Sequence, residues 1–410
     1  MRKVSRFACI STLGLICVAP DALATTDPPT PLDARAAGMG STAVSHVHNG
    51  AAVYHNVAAL HEVKKLAITA GIATSRIGLT APMDGPNTSV DSDSSFVPLY
   101  LIGAAYRVSD QVVLGLASYA TGGFGAEYTT TNPGVSKLTL GALEISPAVE
   151  FSLTKNFALG AGYRITYVMQ SAEARVPVFD AMGVPTGMFA ASTAELSGFN
   201  FAGLHVGAYY RPSEMVRLGL AYRSKVNTHL EGETTTPLGP LDTESDFAFP
   251  HGFKLGAAFD AVPEKLLLAL ELRYLLHGEA NEEIVTEYPA APMLNRTDTL
   301  GWKDSVSAGV GLEFHATEMM PLRAGYMAST SATPGDRPGA FFPPPGLLHS
   351  IHAGAGVELE SLAIDLGGYY ALGGADVTSV AAVAPPAAPP PVGRYEFSTL
   401  AISLSATYRM

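Results

Sequence analysis

The densest group of potential metal ligands in the sequence is a set of four histidines near its start: His46, His48, His55 and His61. Imidazole binds zinc or copper, but a metal site needs converging ligands and further groups that orient them. No cysteine lies among these histidines, and Glu62 is the only nearby carboxylate after Asp33. We therefore expect them to be polar residues of a packed segment, and the sequence predicts no cofactor.

Sequence motifs of catalysis are missing. The sequence contains no Gly-x-Ser-x-Gly elbow, no His-Glu-x-x-His pair and no glycine loop that would hold a phosphate. We predict that the protein is not an enzyme and uses no nucleotide, with a hydrolase of scattered Ser, His and Asp residues as the alternative. The formal net charge of −12, without a basic stripe, argues against nucleic acid as a partner.

The elements that must position the remaining charged residues alternate between apolar and polar side chains. In residues 156–167 one face carries Phe157, Leu159 and Tyr163, whereas Arg164 lies among small residues on the other. Successive side chains of a strand point to opposite faces, so each such segment has one apolar face. A barrel in lipid has its apolar faces outside and its charges inside. The same alternation recurs in 216–223, 266–274 and 400–409.

Composition supports a membrane barrel. Hydrophobic residues make up 47% of the 410 residues and charged residues 15%, yet after the leader no stretch of about 20 apolar residues could form a spanning helix. Only helices and closed barrels satisfy their main-chain groups inside a membrane. The sequence therefore predicts an all-β protein, a fourteen-stranded antiparallel transmembrane β-barrel. Its strands are expected near 66–79, 96–107, 111–121, 137–152, 156–171, 196–211, 214–227, 247–260, 265–278, 302–315, 319–328, 348–359, 361–371 and 395–409.

Short and long connections alternate between these strands, which is typical of barrels in the bacterial outer membrane. Residues 1–24 are predicted to be a cleaved signal peptide, with Ala22-Leu23-Ala24 before the cleavage site; a membrane anchor is the alternative. Both cysteines, Cys9 and Cys17, lie in this leader. Residues 25–65 do not alternate and are predicted to be an N-terminal hatch, or plug, in the lumen, because fourteen strands enclose too wide a space for their own side chains to fill. Residues 66–410 are predicted to form the transmembrane β-barrel.

Several motifs in this order resemble the FadL/TodX family of outer-membrane transporters for long-chain fatty acids and hydrophobic compounds. They are Arg35-Ala-Ala-Gly-Met-Gly40 with Asn56-Val-Ala58, Gly122-Gly-Phe-Gly-Ala-Glu-Tyr128, Ala221-Tyr-Arg-Ser-Lys-Val226 and Gly301-Trp-Lys-Asp304. The resemblance implies a hatch inside the barrel, a sideways exit at a kinked third strand, and a monomer. The chain departs from the family in having Val57 where proline is usual, and in ending on Met410, whereas the assembly machinery of the outer membrane usually recognises a terminal Phe or Tyr.

The resemblance also implies binding residues. Arg175 and Arg296 lie near family positions that meet a fatty-acid carboxylate, although Asp298 is the strictly aligned residue in the second case. Phe179, Phe341 and Phe342 are predicted apolar contacts. The alternatives are solvated loop arginines and aromatic residues of the membrane interface.

The lateral gate is predicted at Gly122, Gly123 and Gly125, with Asn56 of the hatch facing Gly123; an ordinary outer turn is the alternative. Inward charges could line a path, but we favour cross-strand pairs and hatch contacts for them. They are Arg164, Arg217, Arg223, Glu271, Arg273, Glu313 and Asp365.

Together these features predict passive uptake of a long-chain fatty acid or another hydrophobic small molecule into outer-membrane lipid. A general porin for small polar solutes, a hydrocarbon-specific carrier and a barrel without cargo are the alternatives. The sequence does not choose among hydrophobic substrates.

Overall fold

A computed structural model describes residues 32–130, 134–179, 185–237, 239–382 and 389–410. Most of these residues belong to antiparallel strands that close into one barrel, as the sequence predicts. None of the helices in this part of the chain is long and apolar enough to cross a membrane. The predicted signal peptide and its cleavage site lie outside the described residues.

Fourteen wall strands, β1 to β14 in chain order, build the barrel in the described residues, and β7 and β8 each consist of two pieces. The barrel closes because β1 pairs with both β2 and β14. The strands are β1 Leu66–Ala81, β2 Ser95–Ser109, β3 Val112–Glu127, β4 Gly134–Thr154, β5 Phe157–Phe179, β6 Pro185–Ser213, β7 Val216–Arg223 and Val226–Thr236, β8 Gly239–Phe249 and Gly252–Val262, β9 Leu266–Leu275, β10 Ser305–Thr317, β11 Met320–Thr330, β12 Leu347–Glu358, β13 Leu362–Val377 and β14 Gly393–Arg409.

Side-chain alternation sets the orientation of each strand. In β14, Leu400 and Ile402 are 47% and 50% exposed on the outside, whereas Ser403 and Ser405 between the apolar residues are buried inside. The predicted direction of the apolar faces is therefore confirmed. Tight turns and both ends of the wall lie at one end of the barrel, called the turn end, and the longer connections lie at the other, called the loop end.

Several strands extend further toward the loop end than the sequence predicts. β3 continues to Glu127 instead of ending near 121, β5 continues to Phe179, and β6 already begins at Pro185. The predicted loop 228–246 is mostly strand in β7 and β8. These predictions were wrong because the main-chain ladder continues where the outer face is polar, so the apolar alternation that marks a strand in lipid is lost.

Residues 32–63, called the inner segment, lie inside the barrel and are almost entirely buried. The segment contains helices α1 (Ala34–Gly38) and α2 (Ala52–His55) and a 3₁₀ helix, Val57–Glu62. The Asp33 carboxylate caps α1 by accepting a hydrogen bond of 3.1 Å from the Arg35 N–H. Small side chains dominate α1, which lets this helix pack closely in a confined lumen.

Wall glycines allow the main chain of the inner segment to approach the barrel closely. A Cβ added at Gly103 would collide with the carbonyl oxygen of Gly50, and one at Gly325 would collide with the main-chain nitrogen of Gly40. Further inward-facing wall glycines in contact with the segment are Gly71, Gly115, Gly160, Gly207, Gly219, Gly256, Gly309, Gly311, Gly354 and Gly367. The small residues on the polar faces therefore form the seat of the inner segment.

The loop end carries further short elements. A hairpin, Glu283–Glu287 with Arg296–Thr299, extends the wall next to β8. Helix α3 (His277–Ala280) precedes it, and a 3₁₀ turn (Pro292–Leu294) lies within it. A two-residue strand, Val90–Asp91, pairs with the end of β1.

Candidate functional site

Buried apolar side chains occupy the loop end of the barrel interior. They come from β1, β3 to β8 and β12 to β14, and from the connections before β10 and β12. An apolar lining of this kind favours a hydrophobic molecule over a hydrated solute. The group is called the upper cluster, and its larger members are Ile77, Leu79, Tyr128, Leu138, Leu140, Val168, Val176, Leu196, Leu230, Phe247, Trp302, Phe341, Phe342, Leu348, Tyr369, Val377, Tyr395 and Phe397.

The structure brings Phe341 and Phe342 into this cluster. The Phe341 ring meets that of Tyr128 edge to face at 5.4 Å between centroids, and Phe342 meets Trp302 in the same way at 5.5 Å. The Tyr128 hydroxyl donates a hydrogen bond of 2.5 Å to the carbonyl oxygen of Ala340. The connection between β11 and β12 is thus held inward over the lumen by aromatic contacts, rather than lying at the membrane interface.

Arg175 lies elsewhere. It alternates in β5 with Ala174 and Val176, which belong to the upper cluster, so its side chain faces the outside of the wall. Its guanidinium donates to the carbonyl oxygen of Thr130 and stands 5.1 Å from the centre of the Phe189 ring. The structure therefore does not bring Arg175 to the interior cluster. Its role in carboxylate binding stays a prediction, and a carboxylate bound to Arg175 would lie on the outer surface of the wall. Phe179 ends the same strand, and its side chain lies outside the described part of the structure.

Arg296 begins the second strand of the outer hairpin and bonds to Asp298 through Nε at 2.6 Å and also through Nη2. Burial raises the pKa of the Asp298 carboxyl, while the neighbouring guanidinium acts in the opposite direction. The two predicted family positions, Arg296 and the strictly aligned Asp298, therefore form an ion pair with each other. A ligand carboxylate would have to compete with Asp298 for this cation.

The wall is interrupted between β2 and β3. Their ladder ends at the pair Leu101–Tyr119, and in the described residues the next main-chain pairing toward the loop end is the bridge Asp93–Glu127. On its other side β3 stays paired with β4, but the register shifts between Ala120 and Gly122, so that Thr121 is an extra residue. Residues 120–127 of β3 thus leave β2 while remaining in the sheet. This opening is called the β2–β3 gap.

The predicted glycines lie at this gap. Gly122, Gly123 and Gly125 belong to β3 and pair with β4, so they are not in an outer turn. Thr121, which precedes them, is where the alternation changes: Tyr119 faces inward before it, and Ala126 faces inward after it. The register shift therefore lies at Thr121, one residue before the first predicted glycine, and the role of these glycines as a lateral gate stays a prediction.

Asn56 does not face Gly123. Its side-chain amide donates to the carbonyl oxygens of Val44 at 2.9 Å and Ala208 at 3.1 Å, and its oxygen accepts from the Ala58 N–H at 3.1 Å. Ala208 is in β6, so Asn56 fixes the inner segment to the sixth strand rather than to the third. The wall at β3 is instead met by Tyr54, whose ring lies 4.9 Å from that of Tyr119.

The charged side chains in the turn half of the lumen are closely paired with one another, as the sequence predicts for the inward charges. Glu144 accepts from Arg164 Nε at 3.0 Å and from Arg223 Nη2 at 2.8 Å. A second network joins Arg35 of the inner segment to Glu313 at 2.7 Å, and Arg323 to both Glu313 and Asp365. Glu271 accepts from the N–H groups of Ala43 and Val44, and Arg273 bonds to Glu271. These charges hold the inner segment in place.

Two residues of the upper cluster region were not predicted from the sequence to be binding residues. Trp302 packs between Phe342 and His277, and Gln170 faces the interior among apolar neighbours. The signal for Gln170 was available, because it lies on the inward alternation Val168, Gln170, Ala172. No binding role was predicted for it, because β5 was expected to end near residue 171 and its inward face beyond the membrane was not predicted to line a site.

Comparison with known proteins agrees with this architecture. The family model of the outer membrane protein transport proteins (OMPP1/FadL/TodX) matches residues 32–367. No curated protein sequence matches the chain.

Similar solved structures include a Pseudomonas aeruginosa FadL homologue, with 16% identity, 95% of this chain and 100% of that chain covered, and a TM-score of 0.75. The Pseudomonas putida toluene transporter TodX has 15% identity, coverage of 92% and 98%, and a TM-score of 0.67. The Ralstonia pickettii toluene transporter TbuX has 15% identity, coverage of 93% and 99%, and a TM-score of 0.66. At these identities the solved structures establish the fold alone.

Proposed function

The chain belongs to the OMPP1/FadL/TodX family of outer membrane transport proteins, and on that premise we propose that it takes up hydrophobic molecules passively through a plugged barrel with a sideways exit. The cargo is a long-chain fatty acid or another hydrophobic molecule. It enters between the outer connections, occupies the upper cluster, and leaves through the β2–β3 gap into the lipid of the membrane.

The physical problem for such cargo is its poor solubility in water. Each buried CH₂ group contributes roughly 0.8 kcal/mol, so a sixteen-carbon tail prefers an apolar surrounding by on the order of 12 kcal/mol. An open aqueous channel would present this whole difference as a barrier. A series of apolar sites that ends in the membrane avoids the barrier and needs no energy source.

One observation carries the proposal: the upper cluster reaches the β2–β3 gap. Val97 of β2 packs both against the upper cluster and against the apolar residues around the inner segment. It lies in the part of β2 that has left β3. An apolar path from the loop end to the wall opening is therefore continuous through Val97.

We propose further that the inner segment acts as a hatch. It blocks the turn half of the lumen with buried side chains and fixed charges, which disfavours straight passage of polar solutes and supports a lateral route. Val57, where the family usually has proline, starts the 3₁₀ helix directly after Asn56. The Asn56 contacts with β6 supply stiffness at this point.

The proposal covers more than one class of hydrophobic substrate. TodX and TbuX are named as toluene transporters and the third relative as a FadL homologue, so both aromatic hydrocarbons and fatty acids fit the proposal. Arg175 and Arg296 are the candidate contacts of a carboxylate, and both already have partners in the protein.

The proposal is tested by separating binding from exit. Deleting Thr121 removes the extra residue of β3 and should restore a regular ladder across the gap. We expect the purified variant to bind a fluorescent long-chain fatty acid, in competition with oleate or toluene, as the unaltered protein does, while uptake into cells falls at least tenfold. Deleting Ser136, the extra residue at another register shift, in β4, is the matched control and should leave uptake near normal. Unchanged uptake after deletion of Thr121 would exclude this exit, and absence of hydrophobe binding would exclude the transport of such molecules.

A further inference from the structure

Gln170 carries an amide side chain into the apolar wall of the upper cluster. It is 3% exposed and faces inward, with Val168 and Ala172 of the cluster two residues away on either side. In the register of the sheet it lies directly opposite Leu140 of β4 and Leu196 of β6. A polar side chain thus lies among four hydrocarbon side chains of the upper cluster.

Both polar atoms of this amide are buried, and among the described residues neither has a hydrogen-bond partner. An amide side chain offers two N–H donors and a carbonyl oxygen with two lone pairs. The main-chain groups beside it are used in the ladders that join β4, β5 and β6. A buried polar group without a partner is unfavourable, and a bound molecule that pairs with it removes that penalty.

We propose that Gln170 is the polar subsite of the upper cluster and selects neutral hydrophobic molecules that bear a hydroxyl or carbonyl group. This inference rests on the proposed function, because it requires that cargo enters the upper cluster. A hydroxyl accepts from the amide N–H or donates to the amide oxygen, and a ketone or ester accepts from the N–H. An alkane leaves both amide atoms unpaired.

The surroundings of Gln170 explain why the selected group is neutral. Leu140, Leu196, Val168 and Ala172 carry no charge, so an ionised carboxylate at this position would be buried without a counter-ion, which is strongly unfavourable. Arg175, five residues further along β5, faces the other side of the wall and stacks on Phe189. A hydroxyl would therefore be bound on the inner face of β5, at Gln170, and a carboxylate on its outer face, at Arg175.

The test compares three ligands of similar length, undecane, decanol and decanoate, by displacement of a neutral naphthylamine dye from refolded, detergent-solubilised protein. The measured quantity is the ratio of the dissociation constants for undecane and decanol. In Gln170→Leu the amide is replaced by hydrocarbon, so this ratio should fall about tenfold, the equivalent of one hydrogen bond. Gln170→Met, which keeps the length of the side chain, should behave in the same way. Ser171→Ala, on the outward face of the same strand, is the control and should keep the original ratio.

The outcomes distinguish the subsite from the transport proposal. If all ligands displace the dye but the ratio is the same in the unaltered protein and in both Gln170 variants, Gln170 is not a subsite and the proposed function stands. If neither the unaltered protein nor Ser171→Ala binds any of the ligands, both proposals fail. Preference for decanoate over decanol that disappears in Gln170→Leu would overturn the choice of a neutral group. Heat-modifiable migration of each variant on gels verifies that its barrel is folded.

Discussion

The main-chain N–H of Asp93 donates a hydrogen bond of 2.7 Å to the carbonyl oxygen of Glu127, and this bridge closes the loop end of the β2–β3 gap. The pair Leu101–Tyr119 bounds the gap on the other side. The opening is therefore bounded by main-chain pairs at both ends. Under the proposed lateral route, cargo would pass between these pairs without separation of the strand ends. We therefore expect the gap to be a fixed opening, rather than one that forms only when the two strands separate.

A fixed opening should tolerate a cross-link between the two residues that bound it at the loop end. We expect the Asp93→Cys/Glu127→Cys variant, joined by a short bis-maleimide, to retain at least half of the normal uptake of hydrophobic cargo. Both native cysteines lie in the predicted signal peptide, whose cleavage would leave no competing thiol. Uptake is measured with and without the reagent, and each single-cysteine variant serves as a control. Loss of uptake only in the joined double variant would show that the bridge must open.

A side chain added under the inner segment should displace it. Gly325 leaves no room for a Cβ beside Gly40, so Gly325→Val is expected to push part of residues 32–63 from its seat. Swelling of liposomes in a small sugar should then become several-fold faster than with the unaltered protein. Gly141→Ala is the control, because Gly141 faces outward and meets only the flexible end of Met169. A sugar-permeable unaltered protein would instead favour the general porin.

Removing the shared carboxylate of the lumen should destabilise the barrel. Glu144 bonds to Arg164 and Arg223, and both Glu144 and Arg164 are almost fully buried. Glu144→Ala leaves a buried guanidinium without its partner, which costs about 3–5 kcal/mol. Urea unfolding of the refolded protein measures the loss. Glu195→Ala, at an exposed carboxylate of β6, should change stability by no more than about 0.5 kcal/mol, and equal effects of the two substitutions would contradict the role of the network.

Acid should loosen the inner segment. Burial lowers the pKa of His46 to about 3 and lowers the pKa values of His48 and His55 well below 6.5. Unfolded histidines take up protons near pH 6.5, so the segment loses stability as the pH falls from about 6.5 toward 3. Asp33 acts in the opposite direction, because burial raises its pKa to about 6 and its protonation on acidification favours the buried state. His61 also opposes the loss, because its hydrogen bond with Glu150 raises its pKa.

The three fully buried histidines outweigh Asp33 and His61, so we expect the net effect of acidification on the inner segment to be a loss of stability. Hydrogen exchange of residues 32–63, corrected for its intrinsic pH dependence, should become faster between pH 7 and 5, while the wall strands stay protected. A variant with glutamine at all three histidine positions should lose this response. The same acceleration in that variant would assign the effect to other groups.

The two predicted arginines should contribute unequally to fatty-acid binding. Arg296 is engaged by Asp298, whereas Arg175 bonds to a neutral carbonyl and stacks on a ring. If a carboxylate is captured at the outer surface, Arg175→Ala should weaken oleate binding about tenfold and Arg296→Ala by less, since a hydrogen bond to a charged group contributes about 1.5–3 kcal/mol. Toluene binding is the internal control and should not change. Identical oleate affinity in all three proteins would remove both residues from the site.

The local alternation of apolar and polar side chains was sufficient to predict the strands of the barrel wall. The alternation of Leu400 and Ile402 with Ser403 and Ser405 depends only on the two-residue repeat of a strand and on lipid outside the barrel, so strand identity and the direction of each face could be read from neighbouring residues. The ends of β3 and β5 could not, because above the lipid the outer face has no apolar requirement. Phe341 and Phe342 were found from residue type, but their inward position depends on distant partners, Tyr128 and Trp302.

The sequence by itself determined the barrel, its lipid-facing side, and the presence of a separate small-residue segment before it, because these follow from periodicity and composition along the chain. Only the tertiary structure decided that Asn56 binds β6 and that Thr121 is the extra residue beside the β2–β3 gap. Each of these depends on strand register, which is set by pairing between residues far apart in the chain. A shift of one residue moves every side chain to the opposite face, and no local pattern records that choice.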